Sequence, residues 1–84
     1  MFLHLEHIEY IKDYKYRIRF NNGIEKEIDF ASELYGEVFE PLKDAALFKR
    51  AYINPDTRTI EWENGADFAP EYLFQLGKEI KKTA

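Results

Sequence analysis

Cysteine is absent from this 84-residue chain, so disulfide bonds and thiolate metal ligands are excluded. No apolar run approaches the roughly 18 residues of a membrane-spanning helix. The N-terminus also lacks the charged and apolar regions of a secretory signal. We therefore expect a cytoplasmic protein, and residues 1–84 are too few for more than a single domain.

Groups that carry catalysis are also scarce. The single serine, Ser32, lies in a predicted helical turn without a histidine partner, and the four glycines form neither a dinucleotide-binding motif nor a P-loop. His4, Glu6 and His7 are close in sequence, but on a regular strand His7 points away from the other two. Because a metal site needs at least three convergent ligands, we expect no metal, no cofactor and no enzymatic activity.

The charge balance bears on nucleic-acid binding. A net charge of −4 and a pI near 5.1 argue against a broad phosphate-binding surface. The best basic candidates are Lys15, Arg17 and Arg19, which alternate along one predicted strand. They leave a nucleic-acid-associated transcriptional regulator as the alternative function. We do not expect nucleic-acid binding by this chain alone, because the next strand sets acids opposite these cations, namely Glu25, Glu27 and Asp29.

Strict alternation of apolar and charged residues predicts a β-hairpin over residues 14–30. A three-residue loop ending at Gly23 opposes Tyr16 with Ile28 on the apolar face. Glycine suits the left-handed third position of such a loop. The same register brings each basic residue of the first strand opposite an acidic residue of the second, so we expect these charges to pair with one another.

Two further regions read as strands. Residues 2–12 alternate with a phase slip near His7, which predicts a β-bulge. Residues 51–63 form a second predicted hairpin, in which a four-residue loop opposes Ile53 with Ile60.

Helical signals flank the second hairpin. Asp44 is placed as the N-cap of a short helix over about residues 45–50. Pro70 suits the first position of a longer helix that we predict to run to Lys82. Its apolar stripe consists of Leu73, Leu76, Gly77 and Ile80. The order of elements predicts an α+β fold: a small antiparallel sheet of about five strands, with the short middle helix and the C-terminal helix packed on one face.

The segment 61–71 joins the last predicted strand to the C-terminal helix. Trp62 anchors the strand in the core, and Asn64 and Gly65 turn the chain. Asp67, Pro70 and Glu71 are placed to begin the helix. Glu61 and Glu63 face away from Trp62, so a binding role for these carboxylates stays open. A carboxylate-based hydrolase or metal site would require Glu61, Glu63, Asp67 and Glu71 to converge in a cleft.

Aromatic residues are abundant: seven Phe, six Tyr and one Trp. So small a domain cannot bury all of them, and exposed tyrosine and phenylalanine are typical of protein interfaces. We predict a protein partner or a homodimer, bound by a surface that comprises Tyr10, Tyr35, Phe39, Tyr52, Tyr72, Glu61 and Glu63.

Two segments carry a family resemblance. Residues 36–44 (GEVFEPLKD) and residues 59–67 (TIEWENGAD), followed by Pro70 and Glu71, resemble a bacterial domain of unknown function, DUF2442. The resemblance implies a compact α+β domain without established catalytic residues or a cofactor. It also implies an antitoxin-like or regulatory role, because many relatives are similar to products of two-gene operons suspected of toxin–antitoxin function.

The chain departs from this family in two respects. Some relatives carry an added helix-turn-helix domain, for which a chain ending at Ala84 leaves no room, and this argues against direct DNA recognition. Ala69 stands where a serine or aspartate cap often precedes the proline, so Asp67 or a backbone group is expected to satisfy the start of the helix.

Overall fold

The computed structural model describes residues 2–80. Its six strands are β1 (Leu5–Lys12), β2 (Lys15–Phe20), β3 (Glu25–Asp29), β4 (Tyr52–Ile53), β5 (Ile60–Glu61) and β6 (Lys78–Glu79). Its α-helices are α1 (Ala45–Phe48) and α2 (Pro70–Leu76), and two 3-10 turns cover Ala31–Glu33 and Glu40–Lys43. The predicted α+β class and the C-terminal helix are confirmed.

The strands are divided differently from the single sheet that we expected. One antiparallel sheet has the order β1-β2-β3-β6, and β4 and β5 form a separate two-stranded sheet. Within the second sheet Ile53 lies opposite Ile60, as the alternation predicts. The second hairpin therefore has the expected register but does not extend the main sheet.

The predicted register of the β2–β3 hairpin is confirmed. Tyr16 lies opposite Ile28, and the amide of Phe20 donates to the carbonyl of Ile24 at 2.9 Å. Gly23 has the left-handed φ of 85° that the third position of the loop requires. In β1 the pairing with β2 shifts between Leu5 and His7, where the phase slip predicted a bulge.

The prediction that the last helix continues to Lys82 is wrong. Helix α2 ends at Leu76, and β6 then pairs with β3; Lys81 and Lys82 lie outside the described residues. Gly77 explains the change, because a Cβ at this position would lie 3.0 Å from Ile28 Cγ1. The backbone therefore passes closer to β3 than a helix carrying side chains could.

Lys26 lies opposite Ile18 and is half-buried under α2. Its Nζ lies 3.7 Å from the centre of the Phe74 ring and donates to the carbonyl oxygen of Phe74. That carbonyl belongs to the last turn of α2, where the helix dipole favours a cation. The one charged residue on the apolar face of the hairpin thus interacts with both the ring and the backbone of the helix above it.

Aromatic rings fill the core between the sheets and helices. Tyr16, Phe30, Phe48 and Trp62 are all buried, and their rings meet mostly edge to face at centroid distances of 5.1 to 6.3 Å. Asp44 caps α1 as predicted, since its Oδ1 accepts from the amide of Ala46 at 2.9 Å. Cap and core together place α1 against the aromatic side chains of the main sheet.

Candidate protein-interaction site

A groove of about 420 Å³ lies where the first 3-10 turn, the segment after it and the start of α2 meet. It is lined by Glu33, Tyr35, Phe39, Asp67, Phe68, Ala69 and Tyr72. We call it the aromatic groove. It brings together three of the aromatic residues selected from the sequence, Tyr35, Phe39 and Tyr72, beside residues 67–69 of the joint between β5 and α2.

Buried contacts of that joint set the position of the groove. Trp62 is fully buried, and the turn after it returns the chain so that Asp67 pairs with Glu61 by a backbone bridge. Thr59 Oγ1 donates to the carbonyl oxygen of Phe68, and Phe68 itself is only 8% exposed. Phe68 therefore forms a fixed floor for the groove.

The turn at Asn64 and Gly65 has the geometry of the turn at Asn22 and Gly23. Both glycines have a left-handed φ, 88° and 85°, and each asparagine Oδ1 accepts from the amide two residues later, at 3.2 Å and 3.0 Å. Asn64 makes one further bond, from its Nδ2 to the carbonyl of Val38 at 2.8 Å. This bond ties the joint to the segment that carries Phe39.

Three rings lie nearly parallel along the groove. Phe39 stacks on Phe68 at a centroid distance of 4.7 Å and an interplanar angle of 28°. Tyr72 faces the same phenylalanine at 6.0 Å and 9°. Tyr72 is 45% exposed and Tyr35 is 69% exposed, so the groove offers flat aromatic surface to solvent.

The carboxylates of the groove have no basic partner among residues 2–80. Glu33 accepts hydrogen bonds from the hydroxyl groups of Tyr72 and Ser32, and the bond to Glu33 raises the pKa of Tyr72 above its usual value of 10.0. Asp67 is exposed. Within the described chain, the ion pairs involve neither of these two acids.

Asp67 does not cap the helix. The N-cap of α2 is Ala69, and no described side chain bonds to this helix end. Pro70 occupies the first turn and Glu71 supplies the acidic residue there, as predicted. Because Asp67 has no structural hydrogen bond at the helix start, its carboxylate stays available to the groove.

The remaining residues of the predicted surface lie outside the groove. Tyr52 donates to the Glu61 carboxylate, a bond that raises the pKa of Tyr52, and Asn54 Nδ2 donates to the same carboxylate at 3.1 Å. Glu63 forms an ion pair with Arg50 at 3.4 Å. These acids are engaged by neighbours on the β4–β5 hairpin and at the end of α1.

Tyr10 is half-buried against the core. Its ring meets that of Tyr16 edge to face at 5.6 Å, and its hydroxyl donates to the carbonyl of Asp13 at 3.0 Å. Tyr10 was predicted from the sequence to belong to the interaction surface, and Glu33 and Phe68 were not. Asp67 was placed at the start of the helix and among four carboxylates of a possible site. Glu33, Phe68 and Asp67 come together in the groove only because segments distant in sequence lie side by side in the fold.

The arginines of β2 have acidic residues of both neighbouring strands beside them. Arg17 lies opposite Glu27 in the backbone register, but its guanidinium reaches Glu9 of β1 at 3.9 Å. Arg19 similarly reaches Glu6 at 3.7 Å. The expected register of these arginines against β3 is therefore confirmed, and their guanidinium groups also form ion pairs with β1, which flanks β2 on its other side.

Residues 2–80 contain neither a metal-binding cluster nor a membrane-spanning helix. No group of three or more histidine, aspartate or glutamate side chains is placed to hold a metal ion there. No helix in that range is long and apolar enough to cross a membrane. His4 and Glu6 instead line a second cavity of about 650 Å³ together with Arg19 and Arg58.

No curated protein and no solved structure matches the chain in the comparisons made. The profile of one family, described as Protein of unknown function (DUF2442), matches residues 5–79. That match covers both segments that carry the resemblance, together with all strands and helices of the structure. The chain therefore belongs to the DUF2442 family.

Proposed function

We propose that this chain is a non-enzymatic protein-interaction module, an antitoxin-like or regulatory partner of another small cytoplasmic protein, and that it binds through the aromatic groove. The observation that carries the proposal is the exposure of Tyr35 and Tyr72 on a concave surface floored by Phe68. Aromatic side chains in such positions supply most of the affinity in many interfaces.

The groove is organised before a partner arrives. Stacking on Phe68 holds Phe39 and Tyr72, and the hydrogen bond to Glu33 holds the Tyr72 hydroxyl. Ordering a side chain on binding costs about 0.5–1.5 kcal/mol. Rings that are already held escape much of that cost, which favours these residues as contact points over long flexible side chains.

The test begins with purification of the tagged protein from its host at native expression. A stoichiometric partner is identified by mass spectrometry, purified separately and titrated calorimetrically. We expect Tyr35→Ala and Tyr72→Ala each to weaken binding by at least about tenfold, as truncation of a central aromatic residue does. Tyr52→Ala is the matched control, since Tyr52 is 41% exposed but lies outside the groove.

Two results would count against the proposal. One is recovery of neither a stoichiometric partner nor a self-associated form. The other is a purified partner whose affinity is unchanged by both groove substitutions but reduced by Tyr52→Ala, which would place the interface on the β4–β5 hairpin.

A further inference from the structure

We infer that the aromatic groove receives an arginine side chain from a basic segment of the partner protein. This inference rests on the proposed function and adds the chemistry of the partner. It follows from three features of the groove: two carboxylates without a basic partner, flat parallel rings, and the absence of a suitable arginine on the chain's own described surface.

Charge supplies the first step. Glu33 and Asp67 both line the groove and form no ion pair within residues 2–80. The four ion pairs of the described residues use Glu6, Glu9, Glu40 and Glu63, and none of these four acids lines the groove. The net charge of −4 adds to the local negative potential. A cationic group is therefore attracted to this groove, and an acidic segment is repelled from it.

Ring geometry distinguishes arginine from lysine. The Phe68 and Tyr72 rings are 9° from parallel, and Phe39 extends the same stack. A guanidinium group is planar, stacks on aromatic faces and donates to a carboxylate with two N–H groups at once. An ammonium group is a compact, strongly hydrated charge that gains less from a flat surface. Parallel rings flanked by acids thus match a guanidinium better than an ammonium.

A second copy of the chain fits less well. Arg17, Arg19 and Arg50 are engaged with glutamates of the same chain at 3.9, 3.7 and 3.4 Å. To enter the groove of another copy, each would have to exchange its present contact for one with the groove, and this gains less than the binding of an arginine that has no partner. Arg58 is held by a hydrogen bond from its Nε to the carbonyl of Pro55 at 3.1 Å. The groove therefore fits a different protein that offers an unpaired arginine.

The experiment uses the whole chain as bait for a phage-displayed library of random dodecapeptides. We expect the selected peptides to be enriched in arginine over the unselected library, and enriched in arginine more than in lysine. One selected peptide is then synthesised with its arginine intact, or replaced by lysine or glutamine, and each version is titrated calorimetrically. The glutamine version should bind at least about tenfold more weakly, and the lysine version should fall between.

Substitutions in the chain locate the contact. Glu33→Gln and Asp67→Asn should each weaken binding of the arginine peptide severalfold, and the double variant should weaken it further. Glu71→Gln is the matched control, because Glu71 is an exposed acid in the first turn of α2 that does not line the groove. All three carboxylates are exposed or half-buried, so the amide variants should remain folded, and a thermal scan verifies this.

The outcomes separate the inference from the proposed function. The arginine inference is overturned if the selected peptides lack arginine, or if they bind the double variant Glu33→Gln/Asp67→Asn as tightly as the native chain. If Tyr35→Ala nevertheless abolishes their binding, the groove remains an interface. If the native partner and the peptides are both indifferent to Tyr35→Ala and Tyr72→Ala, the proposed function falls as well. A basic segment that belongs to a second copy would be revealed by a dimer mass in solution, and would overturn the choice of a different protein.

Discussion

Tyr16 and Trp62 donate hydrogen bonds to the same acceptor, the carbonyl oxygen of Phe48, at 2.6 Å and 2.8 Å. This carbonyl ends the four-residue helix α1, where backbone acceptors have no partner within the helix. Two buried donors satisfy it, one from β2 and one from the residue that follows β5. The pair therefore joins both sheets to the helix between them. The groove depends on this arrangement because Trp62 fixes the position of segment 61–71, which carries Asp67, Phe68 and Ala69 of the groove.

Tyr16→Phe should lower the free energy of unfolding by about 1 to 2 kcal/mol, as measured by urea denaturation. The hydroxyl donates to Phe48 and also accepts from the amide of Ala51 at 3.4 Å, so its removal leaves that partly buried amide without this acceptor. Tyr10→Phe is the control, because it removes a hydroxyl bonded at the exposed Asp13 carbonyl, and should cost less than about 0.5 kcal/mol. Equal losses in the two variants would contradict a special role for the shared carbonyl.

Alkaline pH should destabilise the protein partly through the same hydroxyl. Burial raises the pKa of Tyr16 from 10.0 to about 12. Below pH 10 both folded and unfolded chains keep the proton, but above it the unfolded chain releases the proton first. Stability is therefore lost as the pH rises from 10 through about 12. The slope of unfolding free energy against pH in this window should be shallower for Tyr16→Phe, and an unchanged slope would contradict the assignment.

Asn64→Ala should cost about 1 to 2 kcal/mol of stability, because it removes the turn bond to Ala66 and the bond to the Val38 carbonyl. Asn22→Ala is a matched control, since among residues 2–80 the Asn22 side chain makes only the equivalent bond within its own turn, to Ile24. We expect the smaller loss there, in chemical denaturation of both variants. Asn64→Ala should also weaken partner binding, because it releases the segment that carries Phe39. A stability loss at Asn22 equal to or greater than that at Asn64 would show that the Val38 bond contributes nothing.

Gly77→Ala should destabilise the protein by about 1 to 3 kcal/mol, although alanine is the better helix former. The added methyl group would lie 3.0 Å from both Ile28 Cγ1 and Lys26 Cβ, so β3 and the end of α2 would have to separate. Gln75→Ala, at an exposed position of α2, should change stability by less than about 0.5 kcal/mol. A neutral or stabilising Gly77→Ala in thermal and urea denaturation would indicate that the close approach is relaxed in solution.

The sequence by itself determined the elements whose geometry depends on neighbours along the chain. The register of the β2–β3 hairpin follows from side-chain parity and from glycine at the left-handed loop position, which local sterics dictate. The bulge in β1, the cap at Asp44 and the start of α2 at Pro70 follow in the same way. The burial of Trp62 follows from its alternation with charged neighbours.

Only the tertiary structure decided features that depend on distant segments. A stripe of Leu73, Leu76, Gly77 and Ile80 suits a helix, yet contact with β3 ends the helix and turns the chain into β6. Arg17 and Arg19 form ion pairs with glutamates of β1. An exposed ion pair stabilises the fold little with either neighbouring strand, so the partner depends on strand order and on how far each side chain reaches. The aromatic groove is formed where residues 33–39 approach residues 67–72. This approach cannot be predicted from the periodicity of either segment, because it results from the burial of Phe68 and Trp62 in a shared core.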